Sequence, residues 1–153
     1  MQKLFIIVFL FSVTYIYAEK RMITQEETKQ VYRIAERKGV PLSVARQLMN
    51  EESGGDCHAR SHLTAEGFYS RGLYQLYTRP DYLAWMLSKY WTSDKPFDIE
   101  NPIDNSQVAM AYLSSLHDRF GNWLQACIYF NHGSIYGYSK STKAYAKRII
   151  NAE

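Results

Sequence analysis

The 153-residue sequence is short of the features that mark several functional classes. It contains no internal repeat, low-complexity tract or linker, so we expect one domain and not two. It has no block of lysine and arginine and no glycine-rich loop of the phosphate-binding kind. The formal net charge of +3 is too small to argue for nucleic acid, and we predict no nucleic-acid partner.

The first eighteen residues differ from the rest. Lys3 precedes an apolar run over residues 4–18, which is shorter than the roughly 20 residues that a membrane span needs. A basic start, a short apolar core and a small residue at Ala18 are typical of a secretory signal. We predict a signal peptide over 1–18 and an exported protein, periplasmic or extracellular. An uncleaved anchor is the alternative, and no cysteine near Ala18 offers a thiol for lipid attachment.

Cysteine is scarce, with only Cys57 and Cys127 in the chain. In an exported protein such a pair predicts a disulfide, which closes a loop of roughly 70 residues and stabilises by about 4 kcal/mol. Two free buried thiols are the alternative. A metal site is a further alternative, with Cys57, His58, His62 and His132 as its candidate ligands. We expect no metal.

Helical periodicity covers most of the remaining chain, and nothing outside one loop resembles a strand. Thr24 and Glu27 form a capping-box pattern that predicts a helix start. Residues 54–71 are rich in Gly, His, Ser and Thr and predict a loop, with a small hairpin around 57–71. The predicted class is mainly α, with about five to seven helices. The periodic segments are 24–39, 41–53, 79–91, 104–121, 122–133 and 142–151.

Two adjacent carboxylates end the second periodic segment, in "MNEESGGDC". At about 100° per residue, Glu52 falls in the middle of the apolar stripe of this helix, and Glu51 falls over 100° away. Burial of a carboxyl group favours its neutral form and raises its pKa, as a general acid requires. Alternatively, Glu52 caps a fraying last turn or pairs with an arginine. The helix alone leaves both interpretations open. The apolar stripe consists of Leu42, Val44, Ala45, Leu48 and Met49.

Five ordered segments carry a resemblance to a known family. They are "EESGGD", "RGLYQLY", "NPIDNSQVAMAYLSSLHDRFGNW", "CIYFNHG" and "TKAYAKRII". In this order and spacing, residues 40–150 resemble the soluble lytic transglycosylase family. The resemblance implies a single domain of lysozyme-like fold, and we predict a catalytic domain of this kind over 19–153.

The resemblance also implies an activity. Glu52 would be the single acid/base that cleaves the MurNAc–GlcNAc bond of peptidoglycan, and the product would carry a 1,6-anhydro-MurNAc end. No cofactor is implied. Pro102, Asn105, Tyr112 and Leu113 match a helix pattern of the family. The predicted substrate-binding residues are Ser53, Gly72, Leu73, Tyr74, Gln75, Tyr129, Phe130 and Asn131.

Two of the departures from the family pattern bear on the expected activity. Tyr74 replaces a methionine that helps line the sugar groove, and we expect it to stack on a pyranose ring instead. Phe130 replaces a tyrosine whose hydroxyl hydrogen-bonds near the catalytic carboxylate, and Phe has no hydroxyl. Tyr129 is adjacent but lies about 100° away around the helix.

These departures leave other functions open. The alternatives are a hydrolase of the goose-type lysozyme kind and a peptidoglycan-binding protein with weak or lost activity. As partners we expect glycan strands and a secretion or conjugation apparatus of the cell envelope, and we expect a monomer. Helical spacing assigns Trp85, Tyr112 and Phe120 to the core, whereas Tyr69, Tyr77 and Tyr136 lie near loops that could face a groove.

Overall fold

The computed structural model describes residues 19–151, which form six α-helices and one two-stranded antiparallel hairpin. The predicted helical class and the helix number are confirmed for this part of the chain. The predicted signal peptide lies outside the described residues. In chain order the elements are α1 (Gln25–Arg37), α2 (Leu42–Glu52), β1 (Ser70–Arg71), β2 (Leu76–Tyr77), α3 (Pro80–Tyr90), α4 (Pro102–Phe120), α5 (Trp123–His132) and α6 (Lys140–Ile150).

Local signals explain where the helices begin and end. The Thr24 side chain and the Glu27 side chain cap α1 reciprocally, as the capping-box pattern predicts. Gly121 and Gly133 end α4 and α5 in the left-handed conformation, with φ of 74° and 75°. Pro41 is the N-cap of α2. None of the helices within residues 19–151 is both long and apolar enough to cross a membrane.

The core is organised around α4, which packs against α1, α3 and α5. Its inner face is buried completely at Val108, Ala109, Met110 and Leu113. The last helix, α6, packs against both α2 and α5. Helix α2 also packs against α1, so it contacts helices from both ends of the described chain.

The hairpin lies later in the chain than predicted. Ser70 pairs with Tyr77 and Arg71 with Leu76, so only 70–71 of the expected 57–71 belong to a strand. The turn between the strands is residues 72–75, the segment that the sequence assigned to substrate binding. Most of 57–69 is loop, as its composition predicts, with one isolated bridge from Arg60 to Arg71.

This turn is fixed from below by the buried side chain of Asn105. Asn105 Oδ1 accepts a hydrogen bond from the Tyr74 amide at 2.9 Å, and its Nδ2 donates to the Ile99 carbonyl at 3.0 Å. Gly72 has φ of +81°, and a Cβ there would lie 2.3 Å from Ile99 O and 2.4 Å from Asn105 Nδ2. The close approach therefore requires glycine at this position.

The structure corrects the predicted disulfide, because Cys57 and Cys127 are both free and buried. Each thiol has its own surroundings. Burial raises the pKa of the Cys57 thiol, and the Arg21 guanidinium opposes this rise. Burial and the charge of Glu52 raise the pKa of Cys127 to about 12. Within residues 19–151, no group of three or more His, Cys, Asp or Glu side chains could hold a metal ion.

The Gly72 packing leads to a stability prediction with a matched control. Gly67 also has positive φ, of +83°, but a Cβ there meets no atom within 4 Å. We expect Gly67→Ala to lower the free energy of unfolding by about 1 kcal/mol through backbone strain alone. Gly72→Ala should cost at least about 2 kcal/mol more, because Asn105 or residue 99 must move. Urea denaturation measures both, and equal losses would contradict this account.

Candidate active site

A cavity of about 550 Å³ lies where the C-terminal ends of α2 and α5 meet the hairpin and the start of α3. We call it the cleft. A carboxylate, amide side chains and aromatic rings share its wall, which suits a ligand with both polar and apolar faces. The lining residues are Glu52, Ser70, Gln75, Leu76, Tyr77, Arg79, Tyr82, Met86, Tyr112, Phe130, Asn131, His132 and Gly133.

Glu52 is the last residue of α2 and the sole carboxylate among the described residues that line the cleft. Burial is the main cause that raises its pKa, to about 7. The hydroxyl of Tyr145 donates a hydrogen bond to Glu52 Oε1, which lowers the pKa, and the charge of Glu51 raises it. At neutral pH the carboxyl group can therefore both hold and release a proton.

Glu51 has different surroundings and does not line the cleft. Arg148 binds its carboxylate through two hydrogen bonds, Nε to Oε1 at 2.9 Å and Nη2 to Oε2 at 2.7 Å. These bonds lower the pKa of Glu51. Glu51 is thus a paired, ionised group with a side chain 17% exposed, and not the freely solvated charge that helix phase suggests.

The hydrogen bonds to Glu52 and to Glu51 both come from one face of α6. Tyr145 and Arg148 are three residues apart, which places them side by side on a helix. They hold two consecutive carboxylates at the end of α2. Tyr145 is the main residue that the sequence analysis missed. Its signal was its position in "TKAYAKRII", on the buried stripe of Thr142, Tyr145, Ala146 and Ile149.

Three of the predicted substrate-binding residues line the cleft, namely Gln75, Phe130 and Asn131. Gln75 has φ of 49°, and its Nε2 donates to the carbonyls of Ala59 and Gly72 at 3.0 and 2.9 Å. Its side-chain carbonyl accepts no hydrogen bond from the described residues. Asn131 is exposed at the end of α5. Both amide side chains can therefore hydrogen-bond a ligand in the cleft.

The other predicted substrate-binding residues lie elsewhere. Ser53 caps the end of α2, with its hydroxyl bonded to the Met49 carbonyl and the Gly55 amide. Gly72 and Leu73 are buried in the turn that Asn105 fixes. Tyr129 packs against Phe120, with ring centroids 5.4 Å apart, and does not reach the cleft.

Tyr74 corrects a specific expectation. It is fully buried and its hydroxyl donates to the Ala45 carbonyl at 3.2 Å. It therefore fills the core under the turn and cannot stack on a sugar. Phe130 does line the cleft, with its ring 5.7 Å from that of Tyr112. The hydroxyl that Phe130 lacks is supplied to Glu52 by Tyr145, from another helix.

The aromatic residues do not all lie in the core or at the groove as their helical spacing predicts. Tyr112 is buried, as expected, but also forms part of the cleft wall. Tyr77, expected near a loop, lines the cleft too. The expectation that Trp85 lies in the core is wrong, because its side chain is 42% exposed. Within α3 only Met86 is buried.

The partners of Glu52 predict opposite changes in its pKa. Tyr145→Phe removes the hydrogen bond that lowers the Glu52 pKa, so this pKa should rise above about 7. Glu51→Gln removes a nearby negative charge, so the Glu52 pKa should fall. Carbon-13 NMR titration of the carboxyl groups measures both values. Tyr90→Phe is the control, because that hydroxyl contacts Ser115 and not Glu52. Shifts of the same sign would contradict the assignment.

The raised pKa of Glu52 also predicts a pH-dependent stability. The pKa is about 7 in the folded protein against an ordinary value of 4.5, so ionisation costs stability as pH rises through this window. Glu52→Gln should therefore increase the free energy of unfolding at pH 8, by up to about 3 kcal/mol, and raise the melting temperature there, with little effect at pH 4. Thermal unfolding of the wild type and of Glu52→Gln at pH 4 and pH 8 measures this difference. A stabilising effect of Glu52→Gln that is larger at pH 4 would contradict its origin in the raised Glu52 pKa.

The comparisons with known proteins agree with this geometry. The Transglycosylase SLT domain family matches residues 30–152. A similar solved structure is an inactive Glu-to-Gln mutant of the lytic transglycosylase Slt from Pseudomonas aeruginosa, with a TM-score of 0.63 and 21% identity. The match covers 80% of this chain and 22% of that one, and it confirms the predicted fold. The comparison with curated proteins finds no match. Because the family match spans most of the sequence and includes most of the cleft-forming elements, the chain belongs to the Transglycosylase SLT domain family.

Proposed function

We propose that the protein is a peptidoglycan lytic transglycosylase that cleaves the MurNAc–GlcNAc glycosidic bond with Glu52 as its single acid/base. Family membership supports the substrate class. The observation that carries the chemistry is one carboxyl group of raised pKa in a cleft whose described lining contains no second carboxylate. In Slt of Pseudomonas aeruginosa, one Glu-to-Gln substitution gives an inactive protein, and we assign the equivalent role to Glu52.

A site with one carboxylate favours chemistry in which the substrate supplies its own nucleophile. Ordinary retaining glycosidases place a second carboxylate about 5 Å from the acid, and inverting enzymes leave roughly 6.5–9.5 Å for a water molecule. Glu51 is adjacent in sequence but lies outside the cleft and is bound by Arg148. It is not placed to serve as that second group.

The proposed reaction has two proton transfers through Glu52. The protonated carboxyl group donates its proton to the glycosidic oxygen as the bond from this oxygen to the anomeric carbon breaks. The resulting carboxylate then takes the proton of the C6 hydroxyl of the same muramoyl sugar, and the C6 oxygen bonds to the anomeric carbon. Glu52 ends protonated, and the product has a 1,6-anhydro ring. A pKa near 7 suits both directions of transfer.

The surrounding side chains support this role. Tyr145 holds the Glu52 carboxyl group in one orientation through its hydroxyl. Gln75, from the hairpin turn, and Asn131, from α5, offer amide groups to the sugar in the cleft. Phe130 and Tyr74 gave grounds to expect weak or lost activity. Those grounds weaken because Tyr145 supplies a hydroxyl and Tyr74 lies in the core.

We further propose that the protein acts outside the cytoplasmic membrane, where peptidoglycan lies. The partnership with an envelope-spanning secretion or conjugation apparatus and the monomeric state stay predictions from the sequence.

Product analysis tests the proposed function. We expect the purified protein to release anhydro-muropeptides from sacculi, which mass spectrometry separates from reducing-end muropeptides by the 18 Da of a water molecule. Glu52→Gln should lower the release by at least about 10²-fold, because it removes the only proposed acid/base. Glu51→Gln is the matched control and should keep measurable activity with anhydro products.

Other outcomes would identify the alternatives. Reducing-end products alone would favour a lysozyme-like hydrolase and contradict the transglycosylase mechanism. Co-sedimentation of the wild type with sacculi without any product would favour a binding protein.

A further inference from the structure

A second cavity, of about 250 Å³, lies beside the cleft and shares Tyr82, Tyr112 and Gly133 with it. We call it the aromatic cavity. The proposed reaction uses none of the residues that line this cavity alone. Its aromatic lining consists of Tyr82, Trp85, Tyr90, Tyr112 and Tyr129, and Arg119 also lines it.

The polar groups of these walls bond mainly to one another. The Tyr82 hydroxyl donates to the Tyr112 hydroxyl at 3.3 Å, and the Tyr90 and Ser115 hydroxyls lie 3.0 Å apart. The Trp85 ring stands edge-on to the Tyr112 ring, with centroids 6.1 Å apart. The aromatic cavity therefore offers ring surfaces more than open hydrogen-bonding groups. Such ring faces can cover apolar side chains as well as sugar rings, so the charge at one end of the cavity is what distinguishes the ligands.

Arg119 supplies the charge of this cavity. Its guanidinium carbon lies 5.0 Å from the Phe120 ring centroid and 5.2 Å from that of Tyr129. A guanidinium packed against rings keeps its in-plane N–H donors available for a carboxylate. No carboxylate within residues 19–151 forms an ion pair with Arg119, whereas at least one carboxylate pairs with each of Arg21, Arg71, Arg79 and Arg148.

We propose that the aromatic cavity binds a short, carboxylate-bearing peptide attached to the glycan strand, with Arg119 paired to the carboxylate and Trp85 covering small apolar side chains. This inference rests on the proposed function, because the peptide is the stem carried by the muramoyl sugar. Continuity supports it, since a substituent of a sugar at Glu52 can pass along Tyr82 and Tyr112 into the aromatic cavity. A cationic end on an apolar pocket is complementary to such a peptide.

The first test measures binding without catalysis. The free stem tetrapeptide, released from sacculi by an amidase, is titrated into the wild-type protein by calorimetry. We expect Arg119→Met to weaken binding about tenfold, the loss of one charge-assisted contact. Arg119→Lys should fall between the two, because it keeps the charge but loses the planar fork. The same peptide with its carboxylates amidated should bind the wild type as weakly as the unmodified peptide binds Arg119→Met.

The second test compares kcat/KM on glycan strands with and without stem peptides. The ratio of interest is kcat/KM on stem-bearing strands divided by kcat/KM on strands without stems. Arg119→Met should lower this ratio about tenfold, mainly by raising KM for the stem-bearing strands. Arg33→Met is the matched control, since Arg33 is exposed and lines neither cavity, and it should keep the ratio of the wild type.

The outcomes separate this inference from the proposed function. If Arg119→Met leaves the ratio unchanged, the peptide assignment is overturned. This includes an equal loss of kcat/KM on both substrates, which is the result expected for a sugar subsite. Equal binding of the tetrapeptide by the wild type and Arg119→Met would also overturn it. A wild type that cleaves neither strand would contradict the proposed function, and the binding test would still decide for or against the peptide site.

Discussion

The contact between the C-terminal end of α2 and α6 is the interaction on which the site depends. Tyr145 and Arg148 hold Glu52 and Glu51, two neighbours that would otherwise repel each other at a fraying helix end. Pairing Glu51 with Arg148 keeps one carboxylate ionised, while burial raises the pKa of the other so that it is about half protonated at pH 7. Two identical side chains thus acquire different protonation behaviour from their surroundings, which is how enzymes separate an acid from a spectator charge.

The opposite wall of the cleft depends on a different constraint. Asn105, from the centre of the core, bonds the Tyr74 amide and the carbonyls of Ile99 and Arg71. This network of hydrogen bonds fixes the tight turn at Gly72. The position of the turn then places Gln75 at the cleft. Residues of the family motif can therefore matter for activity without contacting substrate, because they support the backbone that presents Gln75.

Helix phase and motif spacing could predict the fold class, the inward position of Glu52 and the location of Gln75, Phe130 and Asn131 at one cleft. They could not predict Tyr145 as the partner of Glu52, because that contact joins residues 93 positions apart. The stacking role expected of Tyr74 and the core role expected of Trp85 were wrong for a related reason. Periodicity reports which side of a helix or turn is apolar, but burial depends on what packs against that side. The predicted disulfide between Cys57 and Cys127 failed for a similar reason, since the number of cysteines says nothing about the distance between their side chains.

The central claim is that Glu52 works from its protonated form, with a proton affinity set by burial, Tyr145 and Glu51. The most direct measurement is the pH dependence of kcat/KM on soluble fragments of sacculi between pH 5 and 9, which reports the free enzyme's essential acid. The account predicts that activity falls through an apparent pKa near 7, and that Glu51→Gln moves this fall to lower pH. Activity that stays constant or increases up to pH 9 would contradict it.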